Sequence, residues 1–363
     1  MDRRSFLKTA GLGTGAAAAT TLATPALSQN RIQITCVTSW PKNFPGIGEA
    51  PERFATLIDG ATDGRITMKV YGGGELVPPL KCNDAVQEGT AQMYHSADYY
   101  YQGKLTGYSF FCAVPFGFMP AEIDAWIQKG GGQELWDEVG GQFGIKHLPG
   151  GNSGSQMGGW FNKKMQTVDD FKGLKMRIPG FGGDVITALG GTSVTLAGSE
   201  ILPALQSGTI DATEWVGPWN DLAFGLYKVA KNYHYPGFHE PGSLLSFGIS
   251  RPFWDGLSES DQTLMTAIAY AVNNETLSSY NTNNGQALKT LVNDHGVELV
   301  EFSDEIYREF GKAAKDVLDK AGNSDPLTKK VYEAFLDFRA KAVDWTKISD
   351  QSYANKRALT PFA

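Results

Sequence analysis

Short alternating runs and helical spacings take turns along this chain. The run Ile-Gln-Ile-Thr-Cys-Val within residues 31–38 predicts a strand, since successive strand side chains face opposite sides. Residues 49–61 carry helical spacing through Phe54, Leu57 and Ile58. A second strand over 65–71 is closed by Gly72, Gly73 and Gly74, a helix over 80–88 is ended by Gly89, and a third strand covers 91–95. This β-α-β-α-β order predicts a parallel sheet with helices on its faces.

The order returns after Gly173. A strand over 174–178 is stopped by Pro179 and Gly180. A helix over 183–189 ends at Gly190 and Gly191, and a strand follows over 192–196. A helix over 199–206 has Ser199 as its expected N-cap and Gly208 beyond its end, before a strand over 210–213. Ala85-Val-Gln-Glu-Gly89-Thr matches Ala204-Leu-Gln-Ser-Gly208-Thr, so two similar α/β lobes with a cleft between them are expected. The last third is helical. Ser258 opens a stretch that reaches Asp294, which would run ~50 Å if unbroken. A kink or break is expected near residues 281–285, where the sequence is polar and contains Gly285. After residues 297–302, helices over 303–321 and 327–346 complete the pattern.

Composition adds a compartment. Arg3 and Arg4, an apolar run to about residue 23, and the small-x-small sequence Ala26-Leu27-Ser28 predict a secretory signal of the twin-arginine type over residues 1–28. The remainder, with 29 basic and 38 acidic residues, is mildly acidic, which argues against nucleic-acid binding. No later run is long and apolar enough to span a membrane. The expected organisation is a first lobe over 29–150, a second over 151–250, and a C-terminal helical region over 251–363 that braces both lobes or packs on a second subunit. Cys36, Cys82 and Cys112 lack paired spacing and are expected as buried thiols, with one disulfide as the alternative.

No metalloprotease, nucleophile-elbow, phosphate-loop or dinucleotide motif occurs. What stands out is Arg177, isolated at the end of one short strand, and Glu214-Trp215 at the end of another. A guanidinium is a two-pronged donor that fits a carboxylate, and strand ends of open α/β sheets hold ligands. A structural Arg–Glu ion pair is the plain alternative. His234 and His239 flank Pro236, which spoils a helical metal pair, so both are read as loop or cleft-wall residues. A secreted hydrolase using Glu214 and Glu240 as an acid/base pair is the competing function.

The duplicated lobes, Gly173-Leu-Lys-Met-Arg177-Ile-Pro, Leu205-Gln-Ser-Gly-Thr-Ile-Asp211-Ala and the long C-terminal helices resemble the solute-binding proteins of tripartite ATP-independent periplasmic (TRAP) transporters. Gly154-Ser-Gln156, Glu214-Trp215 and His239-Glu240-Pro are similar to the branch that binds 2-oxo or 2-hydroxy monocarboxylates with a metal cation. The resemblance implies a two-lobed periplasmic receptor that delivers its ligand to a membrane permease. Arg177 would clamp the ligand carboxylate. Gln156 and Glu214 would hold the cation by their side chains and Trp215 by its carbonyl, with Glu240 a further candidate. One of Tyr99, Tyr100 and Tyr101 would reach the ligand's oxo or hydroxyl oxygen, Tyr101 being preferred, while Asn152 and Phe181 would form the wall. An oxygen-rich ligand set suits sodium, or else calcium. The polar face of the long helix predicts a homodimer.

Overall fold

The structure is a computed structural model that describes residues 31–360. The leader expected over 1–28 lies outside the described residues. The strands are β1 (Ile32–Thr38), β2 (Ile66–Tyr71), β3 (Met93–Ser96), β4 (Ile145–Asn152), β5 (Gly159–Phe161), β6 (Lys175–Arg177), β7 (Thr192–Val194), β8 (Ala212–Thr213), β9 (Asn232–Tyr235), β10 (Leu244–Ser250) and β11 (Glu298–Glu301). They form two sheets, in the orders β2-β1-β3-β10-β4 and β11-β9-β5-β8-β6-β7. The helices that matter for the site are α1 (Glu49–Ala61), α2 (Cys82–Gln87), α3 (Pro120–Lys129), α4 (Gly132–Gly141), α5 (Gly180–Ala188), α6 (Gly198–Gln206), α7 (Pro218–Phe224) and α8 (Arg251–Asp255). The C-terminal set is α9 (Glu259–Asn293), α10 (Asp304–Gly322), α11 (Pro326–Ile348) and α12 (Asp350–Arg357).

The two repeats fold alike where their sequences match. Gly89 (φ +79°) and Gly208 (φ +72°) both take the left-handed conformation that favours glycine. Thr90 N–H then donates to Ala85 O at 2.8 Å, and Thr209 N–H donates to Ala204 O at 3.0 Å. The same turn therefore closes α2 and α6. The expected cap of α6 is corrected. Its N-cap is Ala197, whose N–H donates to Glu200 Oε2 at 2.9 Å, while Ser199 lies inside the helix.

The sheets are mixed rather than parallel. β10 runs antiparallel to β3 and β4, and β5 runs antiparallel to β8 and β9. The chain passes from β4 in the first sheet to β5 in the second, and returns from β9 to β10. Within the span 151–250, expected to be mainly the second lobe, β10 belongs to the first sheet, and β11, beyond it, to the second. Strand polarity follows from these crossings, which the local alternation of residues does not encode.

Helix α9 runs unbroken for 35 residues. The expected break is absent because tertiary contacts employ its polar middle. Tyr280 is fully buried and its hydroxyl donates to Asn220 Oδ1 at 2.8 Å, while Asn284 Oδ1 accepts from Trp219 N–H at 3.1 Å. Earlier in the helix, Met265, Ile268, Ala269 and Val272 pack into the core beneath the first sheet with Phe54, Leu148 and Phe247. Tyr280 and Leu291 join a different core with Trp160 and Tyr233 of the second sheet. A single rod thus serves both lobes. α10 does similar work: Ile306 and Phe310 pack with the second lobe, and Leu318 with the first. Cys36, Cys82 and Cys112 are all free and buried.

His95 on β3 shows how a buried polar group is satisfied. Its Nδ1 accepts from Trp40 Nε1 at 2.8 Å, and its Nε2 donates to Gly150 O at 2.8 Å. Burial pushes its pKa down to about 4. A histidine pKa depressed by folding contributes stability above the unfolded value of about 6.5, which is lost as pH falls toward 4. The His95 imidazole resonance should therefore stay in its neutral position at pH 5.5 in an NMR titration. A midpoint near 6.5 would contradict this arrangement.

Candidate functional site

Two short parallel strands set the site's floor. Arg177 ends β6 and pairs with Thr213 at the end of β8, so Glu214 emerges beside the arginine. Glu214 N–H donates to Arg177 O at 3.2 Å. Both side chains are buried, and Arg177 is among the largest fully buried side chains of the molecule. Its guanidinium is almost completely spoken for. Nε donates to Leu196 O at 3.2 Å, Nη1 to Glu214 O at 3.3 Å and to the Glu214 carboxylate at Oε1, and Nη2 to the Tyr100 hydroxyl at 3.0 Å. Its carbon lies 5.1 Å from the centre of a Trp215 ring. Burial opposes the charge, but Tyr100, Glu214 and Tyr99 outweigh it and hold the guanidinium pKa above its ordinary value. Tyr100 is pushed up to about 12, mainly by burial, so its hydroxyl is neutral at pH 7 and accepts from Arg177.

The two lobe-crossing segments supply the other side. They run together: Ser153 N–H donates to Ser243 O, Gln156 N–H to Glu240 O, and Gly237 N–H to Gln156 O, at 3.0, 3.0 and 3.1 Å. Gln156 Nε2 donates to Glu240 Oε2 at 2.7 Å and to Ser153 Oγ at 2.9 Å. Burial first, and the nearby Glu214 second, push the Glu240 carboxyl up to about 7. His239 Nε2 stands 3.5 Å from Glu214 Oε2.

Several buried polar atoms here have no hydrogen-bond partner: Gln156 Oε1, Glu214 Oε2, Trp215 Nε1 and both ring nitrogens of His239. Native interiors leave few such atoms, so the grouping of Gln156, Glu214 and His239 around Glu240 makes this the candidate place for a ligand or an ion. One ligating atom each from Glu214, His239 and Glu240 lies within 4.8 Å of the others. Two carboxylates with an amide oxygen nearby fit a hard cation. The histidine, which by sequence is expected as a loop or cleft-wall residue, adds a nitrogen.

Arg177, Gln156, Glu214, Trp215 and Glu240 therefore come together. The Arg–Glu ion pair is formed, and it uses one Glu214 oxygen only, leaving Oε2 without a hydrogen-bond partner. Tyr101 is corrected to Tyr100. The three tyrosines sit on a 3₁₀ turn (Asp98–Tyr101), whose three residues per turn send them in different directions. Tyr101 packs into the first-lobe core against Tyr94 and Tyr108, at 5.5 and 6.2 Å between ring centres. Asn152, expected in the wall, holds the backbone around it: its Oδ1 accepts from Gly154 N–H at 2.9 Å and its Nδ2 donates to Pro120 O at 3.3 Å. Phe181, expected in the wall, docks on Phe110 of the first-lobe core with ring centres 5.0 Å apart. His239 is not among the ligating residues expected from sequence, and Tyr100 is there only as one of three tyrosines, behind Tyr101. The adjacency of His239 to Glu240 was the available signal for the histidine, and nothing local distinguished Tyr100.

The family profile for bacterial extracellular solute-binding protein, family 7 (DctP), matches residues 36–325. A monocarboxylate 2-oxoacid-binding periplasmic protein of a Nostoc species is 37% identical over 360 residues, covering 98% of each chain. A TRAP periplasmic solute-binding protein of Colwellia psychrerythraea, solved with calcium and pyruvate, is 35% identical with a TM-score of 0.87, over 90% of this chain and 99% of that one. Another, of Pseudoalteromonas atlantica with sodium and pyruvate, is 36% identical with a TM-score of 0.87 over the same shares. These relatives are binding receptors, and the hydrolase alternative finds no support among them. The two-lobed fold, the long C-terminal helices and the matched profile agree, and the chain belongs to family 7 of the bacterial extracellular solute-binding proteins.

Proposed function

We propose that this protein is a periplasmic receptor that captures a small 2-oxo or 2-hydroxy monocarboxylate of the pyruvate type, together with a cation, for a TRAP membrane permease. The observation that carries this reading is the cluster of orphaned buried atoms on Gln156, Glu214 and His239 next to the Arg177 guanidinium. The binding of pyruvate with calcium or sodium by similar proteins supports it. Arg177 takes the ligand carboxylate, Tyr100 reaches its 2-oxygen, and Trp215 forms a wall. Glu214 and Gln156, the Trp215 carbonyl, and Glu240 or His239 hold the cation.

Charge balance explains the cation. Arg177 neutralises either Glu214 or the ligand, not both, and an unpaired buried charge is costly. With Glu240 protonated one positive charge restores neutrality, which sodium supplies; with Glu240 ionised two are needed, as calcium supplies. Ligand-driven closure of the lobes delivers the solute, so no acid, base or nucleophile is required. Export through a twin-arginine leader and a periplasmic location belong to the same reading. So does a homodimer through the C-terminal helices, supported by exposed Trp345 (68%), Ile348 (71%) and Tyr353 (67%) on α11 and α12.

Arg177→Lys keeps the charge but loses the fork, and should weaken pyruvate binding at least tenfold, ~1.4 kcal/mol, by isothermal titration calorimetry. Arg177→Ala would also strand Glu214 in the interior and should destabilise the fold by roughly 3–5 kcal/mol in chemical denaturation. Glu214→Gln should weaken cation and ligand binding together. Equal ligand affinity in wild type with and without chelator and sodium would sink the cation-bridged site. Sedimentation velocity should show a dimer that Trp345→Asp and Ile348→Asp dissociate.

A further inference from the structure

A buried aspartate recurs in both lobes, each time beside a segment that carries site residues. In the first lobe, Asp98 opens the 3₁₀ turn that presents Tyr99 and Tyr100. Its Oδ2 accepts from Trp136 Nε1 at 2.7 Å, and its Oδ1 from Ser246 Oγ at 2.5 Å and the Tyr94 hydroxyl at 3.4 Å. In the second lobe, Asp221 on α7 faces the segment 214–216. Its Oδ2 accepts from Trp160 Nε1 at 2.9 Å and the Tyr233 hydroxyl at 2.6 Å, and its Oδ1 from Val216 N–H at 3.3 Å. Both carboxylates are buried, at 0 and 1% exposure. Each lobe has one carboxylate and one indole donor next to its half of the site, with two hydroxyl donors in the first lobe and one in the second.

Such groups are expensive to bury, and the matched-volume apolar alternative is usually no less stable. Their geometry, though, is directional. An indole N–H only donates, and so does a backbone N–H. A carboxylate that accepts from an indole, as both do, or also from a backbone N–H, as Asp221 does, fixes the strand end or turn it binds, whereas general packing would allow it to slide. Asp98 ties the tyrosine turn to α4 through Trp136 and to β10 through Ser246. Asp221 ties Val216, directly after Glu214 and Trp215, to β5 through Trp160 and to β9 through Tyr233. The Trp160 and Tyr233 rings are themselves stacked, with centres 4.0 Å apart.

We infer that Asp98 and Asp221 are positioning residues for ligand capture, one in each lobe: Asp98 sets the Tyr100 hydroxyl against Arg177, and Asp221 sets Glu214 and Trp215. The inference rests on the proposed carboxylate site for its consequence, but its structural content is independent of ligand identity. The burial of both groups, which pushes each pKa up to about 7, marks them as held in the interior at an energetic cost.

The test pairs two readouts. Hydrogen exchange on the ligand-free protein should show Asp98→Asn accelerating exchange in residues 99–101, and Asp221→Asn in 214–216, each about tenfold and confined to its own segment. Calorimetry with pyruvate and sodium should show each variant binding about tenfold more weakly. In a double-mutant cycle, Asp98→Asn should add little to Tyr100→Phe, since it acts through that hydroxyl. Asp261→Asn, which breaks the remote Arg65 pair, should lower Tm without changing Kd. If an aspartate variant fails to fold, Trp136→Phe or Trp160→Phe removes the same bond from the donor side and carries the same expectations. Unchanged exchange in the named segments, or additive effects with Tyr100→Phe, overturns the inference. A wild-type protein that binds no pyruvate overturns the proposed ligand instead, and the exchange data then decide the positioning roles alone.

Discussion

A charged arginine and a glutamate buried side by side are the constraint around which this molecule is arranged. Arg177 and Glu214 sit at 1 and 0% exposure, where an isolated charge would cost several kcal/mol or more. Each must therefore be surrounded by partners. Leu196 and Glu214 offer carbonyls, Tyr100 crosses from the other lobe with a hydroxyl, and Trp215 lays an aromatic ring nearby. The pairing is still incomplete, because Glu214 Oε2 and its neighbours lack partners. An interior that supplies most but not all of the needed interactions favours a ligand that completes them.

The topology delivers those groups from three directions. Parallel β6 and β8 bring Arg177 and Glu214 to one edge. The crossings β4 to β5 and β9 to β10 lie against each other and carry Gln156, His239 and Glu240. The two crossings that join the sheets are hydrogen-bonded to each other, Gln156 N–H donating to Glu240 O, so these residues lie on the connections between the lobes. The Arg177–Tyr100 bond and the Phe181–Phe110 contact span the cleft as well. α9 is continuous through both cores.

Rigidity around the site has a polar origin as much as an apolar one. His95 orients Trp40, whose ring stands 6.0 Å from that of Trp215 at a steep angle. The Asp98 and Asp221 networks hold the segments on either side. Apolar packing alone would bring these segments together without fixing which atom faces which, because it is nearly isotropic, whereas a hydrogen bond has direction.

Much was legible in the sequence because it is local. Period-two and helical spacings located β1, α1 and β2, the glycines after α2 and α6 marked the same left-handed turn in each lobe, and Ser258 marked the start of α9. Strand-end chemistry singled out Arg177 and Glu214, and residue types with family likeness added Gln156, Trp215 and Glu240. The antiparallel strands, the return of β10 to the first sheet and the unbroken α9 depended on contacts between residues far apart in the chain, such as Tyr280 with Asn220. The choice of Tyr100 over Tyr101 was likewise tertiary: three identical side chains in a row carry no difference in sequence, and only the turn that Asp98 begins decides which hydroxyl meets the arginine. The sequence determined which groups were available and where the chain would turn; the tertiary structure decided which of them share one buried space, because burial and direction are properties of the whole fold.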